Sequence, residues 1–328
     1  MTGSLAGMRG AMVGETAGAA LWDIGDGVAC LEGRTKMNVL DPTVFDAIHL
    51  ALREIPAGFR ALVIGGDHPR AFSAGADLAW FLGRVQAGDW AALEDFLIAG
   101  QEALLALKYA PFPVVGAAFG LALGGGCEVL LHCRAVVAQT ELAAGLPEAG
   151  VGLVPSWGGC TQMLLGRARQ PGAARGPLAP AEQVFPLILQ GRISTSATEA
   201  RDMAVLGAED AIVPTRSGLL EAAKARALAL APGPPAPDML VLAGPSGKSA
   251  LMARARGLAA QGQLSAHDLV IAEALAAVLT GGATDPLTPL SERQVGALER
   301  EAVLSLARLP ATAERIAHML ATGKRLRN

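Results

Sequence analysis

The stretch Pro113–Cys133, PVVGAAFGLALGGGCEVLLHC, runs from small and β-branched apolar residues into three successive glycines, then into a short apolar segment with one carboxylate. Pro113–Phe119 predicts a buried strand, and Gly124–Gly126 a turn that opens directly into a helix. Ala135–Ala138, just beyond, predicts another buried strand. Strands alternating with helices indicate an α/β core with parallel pairing. Glycines at the start of a helix leave its first N–H groups unpaired and let another oxygen approach them closely. Such a place suits an anion, or an oxygen that becomes anionic during a reaction. The same glycines also suit a turn required only for close packing, and the turn alone does not choose between the two.

Upstream, Ala20–Ile24 and Val28–Leu31 flank Gly-Asp-Gly and predict a hairpin. A helix opens at Asp41-Pro42, with Val44, Ile48, Leu50 and Leu52 as apolar positions. Ala61–Ile64 is a short buried strand ending at Gly65-Gly66, and the loop AFSAGADL (Ala71–Leu78) precedes helices through Leu82 and from Trp90 to Tyr109. Downstream, Pro171–Pro180 forms a connector, and Ser194–Leu206 a helix with a serine or threonine cap. Pro232–Pro237 marks a subdomain boundary, and the pattern is helical from Lys248 onward. Val295, Leu298, Ala302 and Leu306 give an amphipathic face there. GPSGKS at Gly244–Ser249 ends like a phosphate-binding loop, but Leu242 stands where that motif needs glycine, so a loop between helices is expected. No internal repeat is visible. The expected division is a catalytic core over residues 18–215 and a helical C-terminal region over residues 216–328.

Composition narrows the function. The 328 residues are 52% hydrophobic and 17% charged, with a formal net charge of −3. This balance argues against nucleic acid or an anionic membrane as the main partner. Mean hydropathy is +0.38, yet no run of about 18 strongly apolar residues appears, so no membrane span is expected. The opening MTGSLAGMRGAMVGET lacks a compact apolar signal region, which makes the cytoplasm the expected location. Cys127 and Cys133 have no second pair and no suitably spaced histidine, so no metal site is expected and Cys30, Cys127, Cys133 and Cys160 read as small buried thiols. His132 reads as a packing histidine.

Two further features carry chemistry only in combination. Ser73-Ala74-Gly75-Ala76-Asp77 presents either another amide toward a bound oxygen or a capped helix start. Glu148 follows Pro147 in the largely apolar AAGLPEAGVGLVP, as either a solvated loop charge or a partly desolvated acid. Taken in order, AFSAGADL (Ala71–Leu78), Pro113–Cys133 and GLPEAGVGLVPSWGGCTQMLLG (Gly145–Gly166) resemble the crotonase, or enoyl-CoA hydratase/isomerase, superfamily. KMNVL (Lys36–Leu40) is similar to the family's early Asn-containing turn near the coenzyme. Leu298–Asn328 resembles the end of the hydratase part of proteins fused to a 3-hydroxyacyl-CoA dehydrogenase. No G-x-G-x-x-G follows the first strand, so the dehydrogenase part is not expected in this chain.

The resemblance implies a spiral of repeated ββα units followed by a helical C-terminal region. It implies hydration of a 2-enoyl-CoA in fatty acid β-oxidation, with an acyl-CoA thioester as substrate and no separate cofactor, the coenzyme A being carried on the substrate. The Ala76 and Gly125 amides match the oxyanion hole. Glu128 and Glu148 match the two catalytic glutamates that hold the reacting water. Lys36, Asn38, Ala74, Gly75, Asp77, Gly124, Ser156 and Trp157 match positions lining the substrate. A homo-oligomer or a partner dehydrogenase domain is expected to cover part of the helical surface.

Arg134, Ala79 and Ser156-Trp157 depart from the family pattern, and Trp157 bears on the width of the acyl pocket. Three other activities stay open: an isomerase that moves a 3,4 double bond and needs only the later glutamate, a non-catalytic acyl-CoA-binding member, and a thioester hydrolase.

Overall fold

The computed structural model describes residues 4–328; the first three residues of the N-terminal stretch read for a signal lie outside them. In chain order the elements begin α1 (Leu5–Met8), β1 (Met12–Glu15), β2 (Ala19–Asp23), β3 (Val28–Gly33), α2 (Pro42–Gly58), β4 (Ala61–Ile64) and β5 (Ala71–Ser73). Then come α3 (Leu78–Ala87), α4 (Trp90–Lys108), β6 (Val114–Ala118), β7 (Leu121–Leu123), α5 (Gly125–Leu131), β8 (Ala135–Gln139) and β9 (Ala143–Gly145). The remainder is α6 (Gly159–Arg169), α7 (Ala179–Leu189), α8 (Ala197–Asp202), β10 (Ala211–Val213), α9 (Leu219–Ala229), β11 (Met239–Leu240), α10 (Gly244–Ala260), α11 (Ala266–Leu279), β12 (Leu290–Ser291), α12 (Glu292–Ala307) and α13 (Pro310–Thr322).

These elements form two compact units interleaved in sequence: Met1–Asp77, Ala99–Gly145 and Ile193–Ala236 make the first, and Leu78–Ile98, Leu146–Arg192 and Pro237–Asn328 the second. The expected split at residue 215 follows the chain, whereas this division runs through it. The proline cluster does coincide with a change of unit, between Ala236 and Pro237.

The first unit is built on a seven-stranded sheet of order β1-β2-β3-β4-β6-β8-β10. The first three strands pair antiparallel and the rest parallel. β6 is buried at every position, the continuous apolar run that a covered parallel strand requires. α2 packs along β1 to β4, and α9 along β3, β4, β6 and β8. Each of β4, β6 and β8 then leads into one short strand of a second parallel sheet, β5-β7-β9. A repeat therefore exists in the topology although none is visible in the sequence. Its three corners are built from unrelated residues: Gly65–Arg70, Phe119-Gly120 and Thr140–Leu142.

Two local expectations change here. Ala71–Ser73 is a strand, not loop, because it pairs with β7. The helix expected over Ser194–Leu206 contracts to α8, capped by Ser196. Ser194 instead joins the small sheet: its Oγ accepts from Ala144 N–H at 2.9 Å and donates to Leu142 O at 3.2 Å.

The second unit is mainly helical. α11 packs against α6, α7, α10 and α12, α13 packs against α3 and α12, and β11 and β12 form a two-stranded antiparallel pair. Gly244–Ser249 is the opening of α10 and not a loop between helices; Pro245 at its start needs no N–H donor. α7 begins at Ala179, inside the expected connector, for the same reason. The buried stripe of α12 is rotated from the expected one: Leu298 and Ala302 are only partly covered, and Glu299 lies in the stripe with Val295, Val303 and Leu306.

Candidate active site

In the first unit the two glycine-bearing loops touch. Gly75 has φ +94°, and a Cβ there would lie 2.8 Å from Leu123 O and 3.3 Å from Gly125 N, a gap only glycine fits. Leu40 fixes the loop from its other side. Its N–H donates to Gly75 O at 2.8 Å, and its carbonyl accepts from Asp77 N–H at 3.1 Å. This pairing of Leu40 with the residues flanking Ala76 turns the Ala76 N–H away from Leu40. Gly125 is the first residue of α5, and the first bond into that helix turn is Glu128 N–H to Gly124 O, 2.9 Å. Among the described residues no hydrogen bond uses the Ala76 or the Gly125 N–H. Two unpaired amides on loops in contact are what a two-donor oxygen site needs.

Glu128 sits one turn into α5 and is 2% exposed. Its carbonyl accepts the ring Nδ1 contact of buried His132 at 2.8 Å, so that histidine closes the helix. Gly124 donates to Gly145 O at 2.9 Å and ties the turn to β9. Asn38 is buried, and its Nδ2 donates to Ala71 O at 3.2 Å and Phe72 O at 3.1 Å, with Ala74 N–H donating to Met37 O at 3.1 Å. The Lys36–Asn38 turn therefore anchors β5 and the loop that follows it, while Lys36 itself is exposed.

In the second unit Glu148 begins a single 3-10 turn, Glu148–Val151. Its Oε2 is sealed from solvent with no hydrogen-bond partner, a costly state that structures retain where it serves function. Burial, with a Coulombic contribution from Glu299, pushes its carboxyl up to about 8. Trp157 is buried, with its ring edge-on to Phe96 at 5.2 Å; Phe96 in turn lies 4.6 Å from Trp80. Ser156 beside it is half-buried.

Three residues that sequence reasoning missed hold this segment. Glu299, fully buried, accepts from Gly158 N–H at 2.7 Å and from the Thr161 N–H and Oγ1, both at 2.9 Å. Thr312 donates through Oγ1 to Gly152 O at 3.1 Å, and Arg315 through Nη1 to Ala149 O at 3.1 Å. The one available signal was Glu299 standing a helical turn from Val295 and Val303. Among the described residues no His/Cys/Asp/Glu group is arranged to hold a metal ion, and no helix is long and apolar enough to cross a membrane.

A mixed sheet whose strands spill into a small second sheet carries two unpaired amides and a buried carboxylate at its glycine turn, an α/β arrangement able to hold a ligand oxygen. The enoyl-CoA hydratase/isomerase family model matches residues 27–173, a little under half of the chain, and over that segment the chain is similar to the family. It is 35% identical over 320 residues to a Bacillus subtilis (strain 168) protein named "Probable 3-hydroxyacyl-CoA dehydrogenase", an alignment covering 97% of this chain and 40% of that one. It is 34% identical over 136 residues to the crotonyl-CoA hydratase of Syntrophomonas wolfei, covering 41% of this chain and 49% of that one. The chain thus spans less than half the length of these relatives. Among solved structures, a carnitinyl-CoA dehydratase from Mycobacterium thermoresistibile superposes with a TM-score of 0.66 at 20% identity, covering 94% of this chain and 91% of that one. An enoyl-CoA hydratase from Rhodobacter sphaeroides 2.4.1 gives 0.64 at 23%, covering 94% and 88%. These likenesses carry the fold: a crotonase spiral with a helical C-terminal region.

Proposed function

We propose that this chain is an enoyl-CoA hydratase, adding water across the 2,3 double bond of a 2-enoyl-CoA in fatty acid β-oxidation. The observation that carries the reading is the pair of unpaired amides, Ala76 and Gly125, on loops in contact, with buried Glu128 one turn further along the helix. The thioester oxygen accepts both amides. As water adds at C3, negative charge grows on that oxygen, so fixed donors stabilise the transition state more than the bound substrate. Glu128 and Glu148 handle the protons: one takes a proton from water while the other delivers a proton to C2. An acid raised to about 8 holds its proton at neutral pH, which fits Glu148 to delivery. The coenzyme arrives on the substrate, and no separate cofactor enters the reaction. A 3-hydroxyacyl-CoA dehydrogenase domain is the proposed partner, supported by the name of the Bacillus subtilis relative, and the cytoplasm the proposed location.

The test is a spectrophotometric assay with crotonyl-CoA, a long-chain 2-enoyl-CoA and a 3-enoyl-CoA, because hydration removes the conjugated double bond and isomerisation creates it. Loss of the conjugated absorbance with either 2-enoyl-CoA is the expected result. A protein that binds both without changing them is a binding member of the family, and one that converts only a 3-enoyl-CoA is an isomerase.

A further inference from the structure

We propose that Glu299 is a positioning residue for Glu148, and that α12 and α13 set the place and the charge of that acid from more than a hundred residues away in sequence. The inference rests on the role given to Glu148 under the proposed function. Its basis is the buried polar grip on residues 148–161. Arg315 and Thr312 of α13 hold the carbonyls of Ala149 and Gly152, and Leu153 N–H closes back onto Glu148 O at 3.0 Å. Glu299 of α12 then holds the far end through Gly158 and Thr161 at the start of α6. Gly152 has φ +86°, and a Cβ there would lie 2.9 Å from Thr312, so helix and turn are fitted without room for a side chain.

A carboxylate without exposure is costly unless its lone pairs are filled. Three donors fill those of Glu299, and the first turn of a helix favours negative charge there. Burial still pushes the Glu299 carboxyl up to about 7, so it ionises before Glu148 and then acts on it as a negative neighbour. The other charged groups around the turn do not duplicate it. Arg315 pairs with Asp268 at 2.8 Å, and the Ser265 amide together with Arg315 holds Asp268 below its ordinary range against the effect of burial. Burial first and Arg315 second hold His267 of α11 below the usual imidazole value. Arg325 lies against Gly150 and donates to the carbonyls of Gln190 and Gly191; Glu292 of α12 is taken by Gln162, and Glu182 of α7 is exposed. Glu299 is the acid among them whose charge raises Glu148.

The experiment compares the parent, Glu299→Gln and Val303→Ala, the last removing apolar bulk from the same buried stripe without touching charge. Glu148 is titrated by NMR on protein carrying ¹³C at the glutamate carboxyls, its signal identified with Glu148→Gln. Crotonyl-CoA hydration is followed across the same pH range. Glu299→Gln is expected to move the Glu148 titration about one unit to lower pH. It is also expected to lower kcat about 10- to 100-fold, as a misplaced acid does, with little change in KM. Val303→Ala should leave the titration where it is. A Glu148 titration in Glu299→Gln that overlies the parent's overturns the proposal, and so does an equal shift in Val303→Ala. If Glu299→Gln fails to fold, Glu299→Asp draws the carboxylate back by one methylene; parental turnover together with a parental titration would then overturn it. If the parent does not hydrate any enoyl-CoA, the functional reading falls, while the NMR titration still decides the link between Glu299 and Glu148.

Discussion

Glu128 lies one turn into a short helix and Glu148 opens a single 3-10 turn, and the molecule supports the two by different means. Glu128 belongs to the sheet unit: its helix starts from a glycine turn, and of the strands that fix it β7 and β9 lie close in sequence, with β5 further upstream. Glu148 belongs to the helical unit, held by residues 151 to 167 positions further along, Glu299 and Arg315 among them. The lesson is that the position of a carboxylate can be written locally, in glycines that let backbones approach, or remotely, in buried polar side chains that reach a turn from elsewhere.

The sharpest way to break the comparison is to remove each acid while keeping its shape. Glu128→Gln and Glu148→Gln should each reduce hydration by about 10²–10⁴-fold, the scale of a positioned acid or base. The double variant should fall far short of the product, since the two act as a unit. Initial rates with crotonyl-CoA decide it. With a 3-enoyl-CoA as substrate, a crippled Glu148→Gln beside a mild Glu128→Gln indicates an isomerase, and parental hydration rates in both sink the mechanism.

Next in size is the backbone donor. Gly125→Pro removes the N–H outright and should cost about 10²–10³ in kcat, the loss typical of one oxyanion donor. Circular dichroism must show a parental fold for the comparison to count. A folded variant with parental turnover removes Gly125 from the site.

Gly75 and Gly152 then separate the two modes of support. Both have positive φ and both meet a neighbour within 3 Å of an added Cβ, Leu123 O for Gly75 and Thr312 for Gly152. Alanine at either is expected to destabilise by about 1–3 kcal/mol, read by denaturant titration. At equal stability loss, Gly75→Ala should lower turnover more, because it pushes directly on the Gly125 amide. Equal losses of turnover would erase the distinction.

The same contrast explains what was legible in the sequence. Local signals carried the hairpin, α2 with its Asp41 cap, β4, β6, β8 and the Gly125 helix start, since each is encoded by apolar runs and turn residues within a few positions. β5, β7 and β9 escaped because three-residue strands are stabilised by pairing with each other, not by their own pattern. Glu299 escaped for a stronger reason. A glutamate in Leu298-Glu299-Arg300-Glu301 reads as a solvated helix face, and only the donors of Gly158 and Thr161 make it a core residue. The α12 stripe was misplaced with it.

The smallest expected effect isolates the cost of keeping Glu148 buried. Its carboxyl is pushed from an ordinary 4.5 up to about 8, by burial first and then by Glu299. A raised folded value means that the native state binds the proton more tightly than the unfolded chain. The stabilisation is therefore full below about 4.5 and is lost as pH rises through about 8. Burial drives Glu299 the same way, up to about 7. Glu148→Gln carries no charge at any pH, so it should melt close to the parent at pH 4. At pH 9, where the parent must ionise a sealed acid, it should melt several degrees higher. Calorimetric scans at the two pH values measure the difference directly. Parallel melting curves across that range would place the Glu148 carboxyl in water, and the remote grip of the helices would then have no electrostatic consequence.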